Sequence, residues 1–543
     1  MTHALDALIV GAGPTGLTMA CELARHGLSC RVMDQAEAPS VHSKALAVTS
    51  RTLETVEAMG ITDELIAEGV KVHGVHIYAN GQRIVHFSMD KLETRYPYIL
   101  SVPQSKTERT LEQLLSRLDG RVERPIQLTG FTQDDDGVTA IVHHAGAREE
   151  HIRARWLVGC DGAHSAVRHV LGLPFEGTRY EEAFMLADVR LDWGLPEDEA
   201  HAFFTPDGPV AAIPLPGGRH RLIVGVPQES AESDQTEGSL DQLRAIMDTR
   251  GLDWVRVSDP TWIAKFRIHR RMVPSFRVGQ VFLAGDAAHI HSPVGGQGMN
   301  LGIQDAYNLA WKLALVTRGS GKPVLLDSYQ AERHPIAAAT LSGTDLATKI
   351  VTLRNPVAQA LRNHLASFLS QRGHVQRRLT RAASGLIVNY RQSPIVAEPL
   401  GWRGGGAAPK AGDRAPDGTL LRPGSQASVR LYELLRTPCH HLFLFHGRSA
   451  TTTDCQDLAE IGTHVQARYK ELIDVRLVVQ NSVLLEALRE HDSILLDPDG
   501  SFHGQYGADS AWVYLLRPDG YIGYRCQPAE AEDLFYYLDA VFV

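Results

Sequence analysis

The residues best suited to bind a ligand lie in a glycine-rich stretch near the middle of the chain. The apolar run 281–284 leads into Gly285 and Asp286, and a second turn precedes a helix whose apolar residues recur every three or four positions. The first amides of a helix lack intrahelical partners and lie at the positive end of its dipole. We therefore expect Asp286 to bind sugar-type hydroxyls and the amides from Gly298 to Asn300 to face an electron-rich carbonyl.

A second candidate site is the turn after the first predicted strand. Gly11, Gly13 and Gly16 form the pattern G-x-G-x-x-G between the apolar run 7–10 and a predicted helix. Glycines at this spacing allow a tight turn, close approach of a pyrophosphate and close packing of the helix on the strand. Asp34 ends the next predicted strand about twenty residues on, where a carboxylate can bind ribose hydroxyls. The pattern predicts a dinucleotide site and leaves NAD and FAD both open.

A third turn has the same form. The apolar run 156–159 leads into Asp161 and Gly162, and polar residues follow up to Arg168. Asp-Gly and Gly-Asp are weak signals as dipeptides. The order of the motifs is a specific signal: G-x-G-x-x-G comes first, then Asp-Gly and then Gly-Asp, each directly after an apolar strand. It favours three turns that bind one ligand.

Length, charge and cysteine content limit the remaining possibilities. The chain has 543 residues, enough for about two to four domains. Its formal charge of −9 argues against nucleic acid as a partner, and the basic run 267–271 is more typical of a solvated edge. We expect no signal peptide, because the chain enters the apolar run 7–10 without a basic region followed by a cleavable apolar stretch. No apolar run is long enough to span a bilayer, and the six cysteines form no C-x-x-C pair. We expect a cytoplasmic protein with no bound metal and no stable membrane association.

The rest of the chain divides by pattern. Residues from about 177 to 276 form short alternating runs broken by Gly and Pro, which predicts an antiparallel sheet. Residues 337–400 are predicted to be mostly helical, and the glycine-rich stretch 401–409 is the clearest linker. Apolar strands after this linker predict a final domain.

Together these segments resemble the single-component flavoprotein aromatic hydroxylases, the class of para-hydroxybenzoate hydroxylase and phenol hydroxylase. Within that class the chain is most similar to phenol hydroxylases of the pentachlorophenol 4-monooxygenase type. The residues that carry the closer likeness span almost the whole chain and are the runs 49–54, 95–98, 265–267, 295–300, 304–306, 328–333 and 516–521.

The resemblance implies an α/β fold in which a Rossmann-like FAD-binding domain is interleaved with an antiparallel-sheet substrate domain. A thioredoxin-like α/β domain would follow, without the C-x-x-C pair needed for thiol chemistry. The implied divisions are 1–175 for the first part of the FAD-binding domain, with 75–105 contributing to the substrate sheet, 176–276 for that sheet, 277–400 for the second part and a helical segment, and 410–543 for the thioredoxin-like domain.

The resemblance also implies a cofactor role for each turn. The glycine motif and Asp34 would bind the FAD pyrophosphate and adenosine ribose, and the segment of Asp161 and Arg168 would serve both FAD and NADPH. Pro293 and the turn up to Asn300 would lie beside the isoalloxazine ring. The implied cofactor-binding residues are Gly11, Gly13, Pro14, Thr15, Gly16, Asp34, Lys44, Gln104, Asp161, Gly285, Asp286, Pro293, Gly296, Gly298, Met299 and Asn300.

The implied activity is hydroxylation of a phenolic or polyketide-type aromatic substrate with NAD(P)H and O2, through a C4a-hydroperoxyflavin. The implied pocket walls are Tyr98, Phe184, Phe204, Ile213 and Trp262. The candidate catalytic residues are Pro293, Tyr98 and His220. His201 is a further candidate base, and a cation such as Arg219 or Arg267 could instead lower the pKa of the phenol.

Two other functions are considered. A flavin-dependent halogenase also begins with G-x-G-x-x-G, but the chain has no W-x-W-x-I-P stretch. A flavoprotein scaffold that sequesters an aromatic intermediate without oxygenating it would have the same fold and FAD site. The sequence leaves this second alternative open, and a homodimer is one option for the assembly.

Overall fold

The computed structural model describes most of the chain. The described residues are 5–41, 43, 45–146, 148–227, 235–292, 294–399, 408–424, 427–447, 452–480 and 493–543. Within them the protein is a mixed α/β structure with three large sheets and one small sheet.

The first third of the chain opens with a strand–turn–helix unit. Its strands are β1 (Leu5–Val10), β2 (Cys30–Met33), β3 (Ala47–Val48), β4 (Val70–Val72), β5 (Gly74–Ala79), β6 (Gln82–Ser88), β7 (Ile99–Ser101), β8 (Val122–Glu123), β9 (Ile126–Asp134), β10 (Gly137–His144) and β11 (Glu149–Gly159). Its helices are α1 (Pro14–Arg25), α2 (Ser50–Ala58), α3 (Thr62–Ala67), α4 (Gln104–Arg117) and α5 (Ala166–Val170).

The middle of the chain is first strand-rich and then helical. Its strands are β12 (Glu176–Asp192), β13 (Ala200–Thr205), β14 (Gly208–Leu215), β15 (Arg219–Pro227), β16 (Gln235–Glu237), β17 (Arg256–Met272), β18 (Arg277–Val278), β19 (Val281–Leu283) and β20 (His289–Ile290). Its helices are α6 (Leu240–Thr249), α7 (Gly298–Thr317), α8 (Val324–Val351), α9 (Pro356–Ser370) and α10 (Gly373–Ala383), with a 3-10 turn at Gly285–Ala287.

The last part of the chain forms a third large sheet. Its strands are β21 (Thr419–Leu421), β22 (Ser428–Arg430), β23 (His440–Phe445), β24 (Ile473–Val479), β25 (Ile494–Leu496), β26 (Trp512–Leu516) and β27 (Ile522–Cys526). Its helices are α11 (Leu431–Leu434), α12 (Thr452–Tyr469), α13 (Ser501–Tyr506) and α14 (Ala531–Val541).

The first large sheet has the strand order β18-β19-β11-β1-β2-β8, with β10 and β9 added beside β11. β1 is parallel to both β11 and β2, and β11 is parallel to β19. The run Ala7–Val10 in β1 is buried throughout, as expected for a parallel strand covered on both faces. Because parallel strands end at the same edge, the turns after β1, β11 and β19 meet there, and we call this place the turn edge.

The second large sheet has nine strands in the order β16-β17-β12-β15-β14-β13-β5-β6, with β20 beside β17. Its pairings are antiparallel except that of β13 with β5. β5 and β6 thus join it from the first third of the chain, whereas β7 lies in a separate small sheet with β3 and β4. The Ser101 hydroxyl donates to the carbonyl of Pro214 at 2.5 Å, which ties this small sheet to β14.

The third large sheet has the order β22-β21-β25-β24-β23-β26-β27. Its centre is parallel, from β23 through β24 to β25, and β26 and β27 continue it in antiparallel fashion. Arg517, just after β26, donates to both carboxylate oxygens of Glu332 on α8, at 2.6 and 2.9 Å. The third sheet is therefore joined to the helices behind the turn edge by a buried ion pair.

Long helices fill the space behind the first sheet. α7 is buried along nearly its whole length, and α8 packs against it. α9 differs because it exposes the apolar side chains of Val357, Leu361 and Leu365. None of the helices in the described ranges is long and apolar enough to cross a membrane.

Candidate functional site

The glycine motif divides into packing glycines and one glycine that leaves open space. Gly11 has φ 101°, and a Cβ there would collide with the backbone of Cys160. A Cβ at Gly16 would collide with the carbonyl oxygen of Gly11, whereas one at Gly13 would have no described atom within 4 Å. Pro14 starts α1, where the lack of a proline N–H breaks no helical hydrogen bond. The backbone at Gly13 can therefore be approached closely by a ligand.

Asp34 holds the end of β2 against this turn. Its Oδ2 accepts a hydrogen bond from the amide of Ala12 at 2.7 Å, and its Oδ1 accepts one from Ala36 at 2.8 Å. The carboxylate remains half-exposed. It is therefore in position to accept hydroxyl groups beside the glycine motif.

The three turns pack directly on one another. A Cβ at Gly285 would lie 2.5 Å from the hydroxyl of Thr15, which belongs to the glycine motif. Arg168 is buried and donates to the carbonyls of Ala287, at 3.0 Å, and Ala163, at 2.8 Å. The structure thus brings the predicted turns together at one edge, and Arg168 joins the second turn to the third.

Asp161 carries a buried acceptor atom that no described residue satisfies. Its Oδ2 accepts from the amide of Val167 at 3.2 Å, but Oδ1 is buried without a hydrogen-bond partner among the described residues. Burial raises the pKa of Asp161. A buried carboxylate oxygen without a donor is costly, so a ligand hydroxyl or amide placed here would be stabilising.

Gln104 anchors the segment that contains Lys44. The Gln104 side chain accepts from the amide of Ala45 at 3.1 Å, and its backbone amide donates to the hydroxyl of Ser43 at 2.6 Å. Lys44 itself lies outside the described residues, as does Pro293. Gln104 therefore has a direct contact on each side of the predicted lysine.

The turn before α7 is fixed by Asn300. The Asn300 amide donates to the carbonyls of Ala47 and Gly296 at 2.7 and 2.8 Å, and its oxygen accepts from the amide of Thr49 at 2.9 Å. Gly296 has φ 62°, and its neighbours Gly298 and Met299 are half-exposed. Helical hydrogen bonding begins at the amide of Leu301. The preceding amides are therefore available to an anion or carbonyl.

Asp305 on α7 holds the Gly285 turn in place through its carboxylate. Its carboxylate accepts from the amide of Gly285 at 3.0 Å and from Arg333 Nε at 2.6 Å, and lies 2.7 Å from Nε2 of His289. Burial alone would raise the pKa of Asp305, but the charges of Arg333 and His289 hold it below its usual value. Asp286, by contrast, is exposed at the turn edge. Sequence reasoning assigned no role to Asp305, although an acid within an apolar helix was a visible signal.

Four of the five predicted pocket walls share one face of the nine-stranded sheet. Phe184 pairs with Phe266, and their rings stack with centroids 6.5 Å apart. The pairings of β13 with β14, β14 with β15 and β15 with β12 place Phe204, Ile213 and Trp262 on this same face. These three side chains are only half-buried. We call this surface the pocket face.

The pocket face also contains an ion pair that sequence reasoning missed. Arg221 donates to both carboxylate oxygens of Asp188, at 2.6 and 2.7 Å, and is itself 1% exposed. Its guanidinium lies 5.3 Å from the centre of the Trp262 ring. The two charged residues occur on different apolar strands, so only the strand register reveals that they meet.

His220 and His201 lie on the opposite face. His220 pairs with Val189 and Pro214, and its ring packs edge-on against Trp193 with centroids 5.1 Å apart. This face is covered by α6 and is buried. Burial lowers the pKa of both histidines. The sheet therefore separates the predicted base His220 from the predicted pocket walls, and the two predictions do not describe one pocket.

Tyr98 lies outside the nine-stranded sheet, whereas Arg219 shares a face with Arg221 but lies two residues away along β15, at the end of the sheet. Tyr98 precedes β7, and burial raises the pKa of its hydroxyl to about 12. Lys71 lies over the Tyr98 ring, 5.2 Å from its centre. Arg219 pairs with Asp259 at 2.5 Å at the end of the sheet. A hydroxyl with a raised pKa is a hydrogen-bond donor rather than a proton acceptor at neutral pH.

Comparison with known proteins assigns the class. Residues 4–344 match the FAD binding domain family, so the chain belongs to this family. It is 37% identical over 532 residues to 6-methylpretetramide 4-monooxygenase from Streptomyces rimosus, which covers 96% of this chain and 90% of the relative. It is 33% identical over 555 residues to pentachlorophenol 4-monooxygenase from Sphingobium chlorophenolicum, covering 99% and 96%.

A solved structure extends the likeness to the whole fold. The anhydrotetracycline hydroxylase of Streptomyces rimosus superposes with a TM-score of 0.77 at 30% identity, covering 99% of each chain. These relatives confirm the predicted class, FAD-dependent aromatic monooxygenases, and with it an oxidoreductase that binds FAD. The open space beside Gly13, the unsatisfied Oδ1 of Asp161 and the open amides before α7 fit such a dinucleotide.

Proposed function

We propose that the protein hydroxylates a polyketide-type or phenolic aromatic substrate, held against the pocket face, with NADPH and O2. The single observation that carries the proposal is the meeting of three ligand-binding turns at one edge, in a chain whose nine-stranded sheet has a half-exposed aromatic face. The 37% identity to a monooxygenase named for a pretetramide favours a polycyclic substrate over a single ring.

FAD would be held by residues from each turn. The backbone at Gly13 and Asp34 would bind the pyrophosphate and adenosine ribose, Gln104 and Asp286 the ribityl region, and Asp161 a donor group through its unsatisfied oxygen. The amides from Gly298 to Asn300 would stabilise negative charge on a ring carbonyl. Bound FAD supplies the acceptance of hydride and the activation of O2. The roles of Lys44 and Pro293 are proposed from the sequence alone, because both residues lie outside the described residues.

The pocket face would position the aromatic substrate. The half-buried Phe204, Ile213 and Trp262, beside the buried Phe184, would offer apolar area for a ring, and water would be excluded as the ring covers them. Arg221 would donate to a phenolic or enolic oxygen and favour its ionised form, while Asp188 holds the guanidinium in place. We prefer this pair to His220 and Tyr98 as the group that stabilises the phenolate, because it lies on the pocket face.

A substrate panel tests the proposal. Purified FAD-loaded protein is mixed with NADPH and with tetracyclic polyketides, chlorophenols and simple phenols, and NADPH loss, O2 uptake and product mass are recorded. If the protein is an oxygenase, we expect faster NADPH loss with one aromatic class and a product heavier by one oxygen atom. If the protein is a non-oxygenating scaffold, we expect slow NADPH loss that no aromatic compound changes, and no oxygenated product.

NADPH is proposed as the reductant from the family resemblance at Asp161 and Arg168. Stopped-flow reduction of the flavin, with NADPH and NADH at equal concentrations, distinguishes the two. A larger kcat/KM for NADH would overturn the proposal without affecting the assignment of FAD.

The third sheet is proposed to be a thioredoxin-like domain with a structural or dimer-contact role. Its parallel core β23-β24-β25, continued by antiparallel β26 and β27, supports that fold. Light scattering on the purified protein tests the homodimer. Fractionation of cells that express the protein tests the proposed cytoplasmic location.

A further inference from the structure

Three histidines form a row across adjacent strands at the far edge of the nine-stranded sheet. His86 on β6 pairs with His76 on β5, and His76 pairs with His201 on β13. The rings are parallel, with centroids 4.3 Å apart between His86 and His76 and 5.2 Å apart between His76 and His201. The row lies away from the pocket face and plays no part in the proposed function.

Glu199 brings two of these histidines to one point. Its Oε1 lies 3.0 Å from Nε2 of His86, and its Oε2 contacts Nε2 of His76. One ligand atom from each of the three residues lies within 4.8 Å of the other two. Gly74 keeps the space open, since a Cβ there would lie 2.9 Å from Nε2 of His86 and would also crowd Glu199.

We propose that His76, His86 and Glu199 bind one zinc-like divalent cation. Two imidazole nitrogens and a carboxylate are an established donor set for Zn²⁺, which accepts three protein ligands and one water in a tetrahedral site. His76 is buried whereas His86 is 38% exposed on its side chain, so solvent can reach the fourth position. Tetrahedral bonds of about 2.0–2.2 Å place ligand atoms about 3.3–3.5 Å apart. The two contacts of Glu199 must therefore open slightly to admit the ion, which is within side-chain rotation.

One neighbouring contact must change when the ion binds. Metal on Nε2 of His76 leaves the proton on Nδ1, and Arg83 is 3.5 Å from that nitrogen. Arg83 is exposed and can turn towards solvent. His201 is not needed as a ligand, because its Nε2 already lies 2.9 Å from the carbonyl of Pro196.

The ion would cross-link strands at the edge of the nine-stranded sheet. It would link the β5–β6 hairpin, from the first third of the chain, to the start of β13. The carbonyl of His86 accepts from Gln376 on α10 at 3.3 Å, so the same hairpin contacts the helices that follow α8. We infer a structural ion that stabilises this edge.

Calorimetric titration of the EDTA-dialysed, FAD-loaded protein with Zn²⁺ tests the site. We expect one equivalent to bind, and His86→Ala and Glu199→Gln each to weaken binding by at least about tenfold. The matched control is His151→Ala, which removes a histidine from the exposed pair with Glu149, 3.0 Å away, and should leave binding unchanged. Retained flavin absorbance shows that each variant is folded.

A second readout does not depend on heat of binding. Zn²⁺ should raise the Tm of the starting protein and of His151→Ala, but not that of His86→Ala. Because both imidazoles must be deprotonated to bind the ion, affinity should fall as the pH is lowered. The absence of a binding equivalent, or an equal loss in His151→Ala and His86→Ala, would overturn the proposal.

Discussion

The turn edge and the pocket face hold their polar groups in different ways. At the turn edge the carboxylate of Asp305 has partners on the Gly285 turn, on β20 and on α8, and all of them are buried. On the pocket face the ion pair of Arg221 with Asp188 lies among half-buried apolar side chains. The first region is therefore built to keep one shape, whereas the second, under the proposed function, would accept different ring systems.

This difference sets what substitutions should do. A change at the turn edge should affect FAD affinity and folding, because its backbone packs without spare space. A change on the pocket face should affect KM and kcat for the aromatic substrate while FAD stays bound. Substitutions in each region test that separation.

The largest effect is expected at the glycine motif. Gly16→Ala places a Cβ against the carbonyl of Gly11, so the turn must open and the protein should fail to fold or to retain FAD. Gly13→Ala places its Cβ in open space and should give a folded protein with weakened FAD binding, because the methyl group meets the ligand. Soluble yield and flavin fluorescence titration measure the two outcomes.

Gly130→Ala is the control, since a Cβ there also meets no described atom and the residue is far along the chain in β9. It should keep full flavin content. Equal flavin loss in Gly13→Ala and Gly130→Ala would show that Gly13 does not face the cofactor.

The next largest effect is expected at the buried ion cluster behind the turn edge. Glu332→Ala leaves Lys312 and Arg517 without their shared carboxylate, and all three residues are buried. Removing one partner of a buried ion pair costs about 3–5 kcal/mol. Urea unfolding should show this loss in the free energy of unfolding.

Glu64→Ala provides the matched exposed case. Glu64 pairs with Arg117 at 2.6 Å, and both side chains are more than 40% exposed. Its loss should cost no more than about 1 kcal/mol. A loss of similar size in both variants would mean that the buried cluster contributes no more than a surface pair.

The same contrast explains what could be predicted from the sequence. The turns were predictable because spacing along the chain fixes them: Gly11 to Gly16, Asp161 and Gly285 each follow an apolar strand. The ion pair of Arg221 with Asp188 joins residues 33 positions apart, and it depends on strand register. His220 and Phe184 both looked suited to a pocket, but residue type does not tell which face of a sheet a side chain takes.

A smaller effect is expected at the pocket face. Arg221→Lys keeps the charge but loses the two-pronged contact with Asp188, so the cation shifts relative to the substrate oxygen. We expect kcat/KM for the preferred aromatic compound to fall about tenfold, equivalent to about 1.4 kcal/mol. FAD affinity should change less than about twofold. Steady-state NADPH consumption and flavin titration measure the two quantities.

Arg190→Lys is the control for this prediction, because Arg190 is exposed and pairs with the exposed Asp259 at the end of β12. Its kcat/KM should be unchanged. If Arg221→Lys instead releases FAD, the pocket face and the turn edge are not separate in function.

The smallest effect concerns His220 and depends on pH. Burial lowers the pKa of His220 below its ordinary value of 6.5, so the unfolded chain binds this proton more readily than the folded protein. Stability is therefore complete above about pH 6.5 and falls as the pH drops below it, by up to about 1.4 kcal/mol per pH unit from this residue. His220→Phe should make the free energy of unfolding less dependent on pH between 7 and 5.5.

The same variant tests which face meets the substrate. The His220 ring packs on Trp193 under α6, so its loss should leave the pH profile of kcat in place even though the pH dependence of stability changes. His143→Phe, an exposed histidine paired with Glu149, should alter neither profile. The pH profile of kcat could instead lose a titration step in His220→Phe and keep it in His143→Phe. That result would mean that His220 reaches the reacting ring and that the aromatic substrate binds on the α6 side of the sheet.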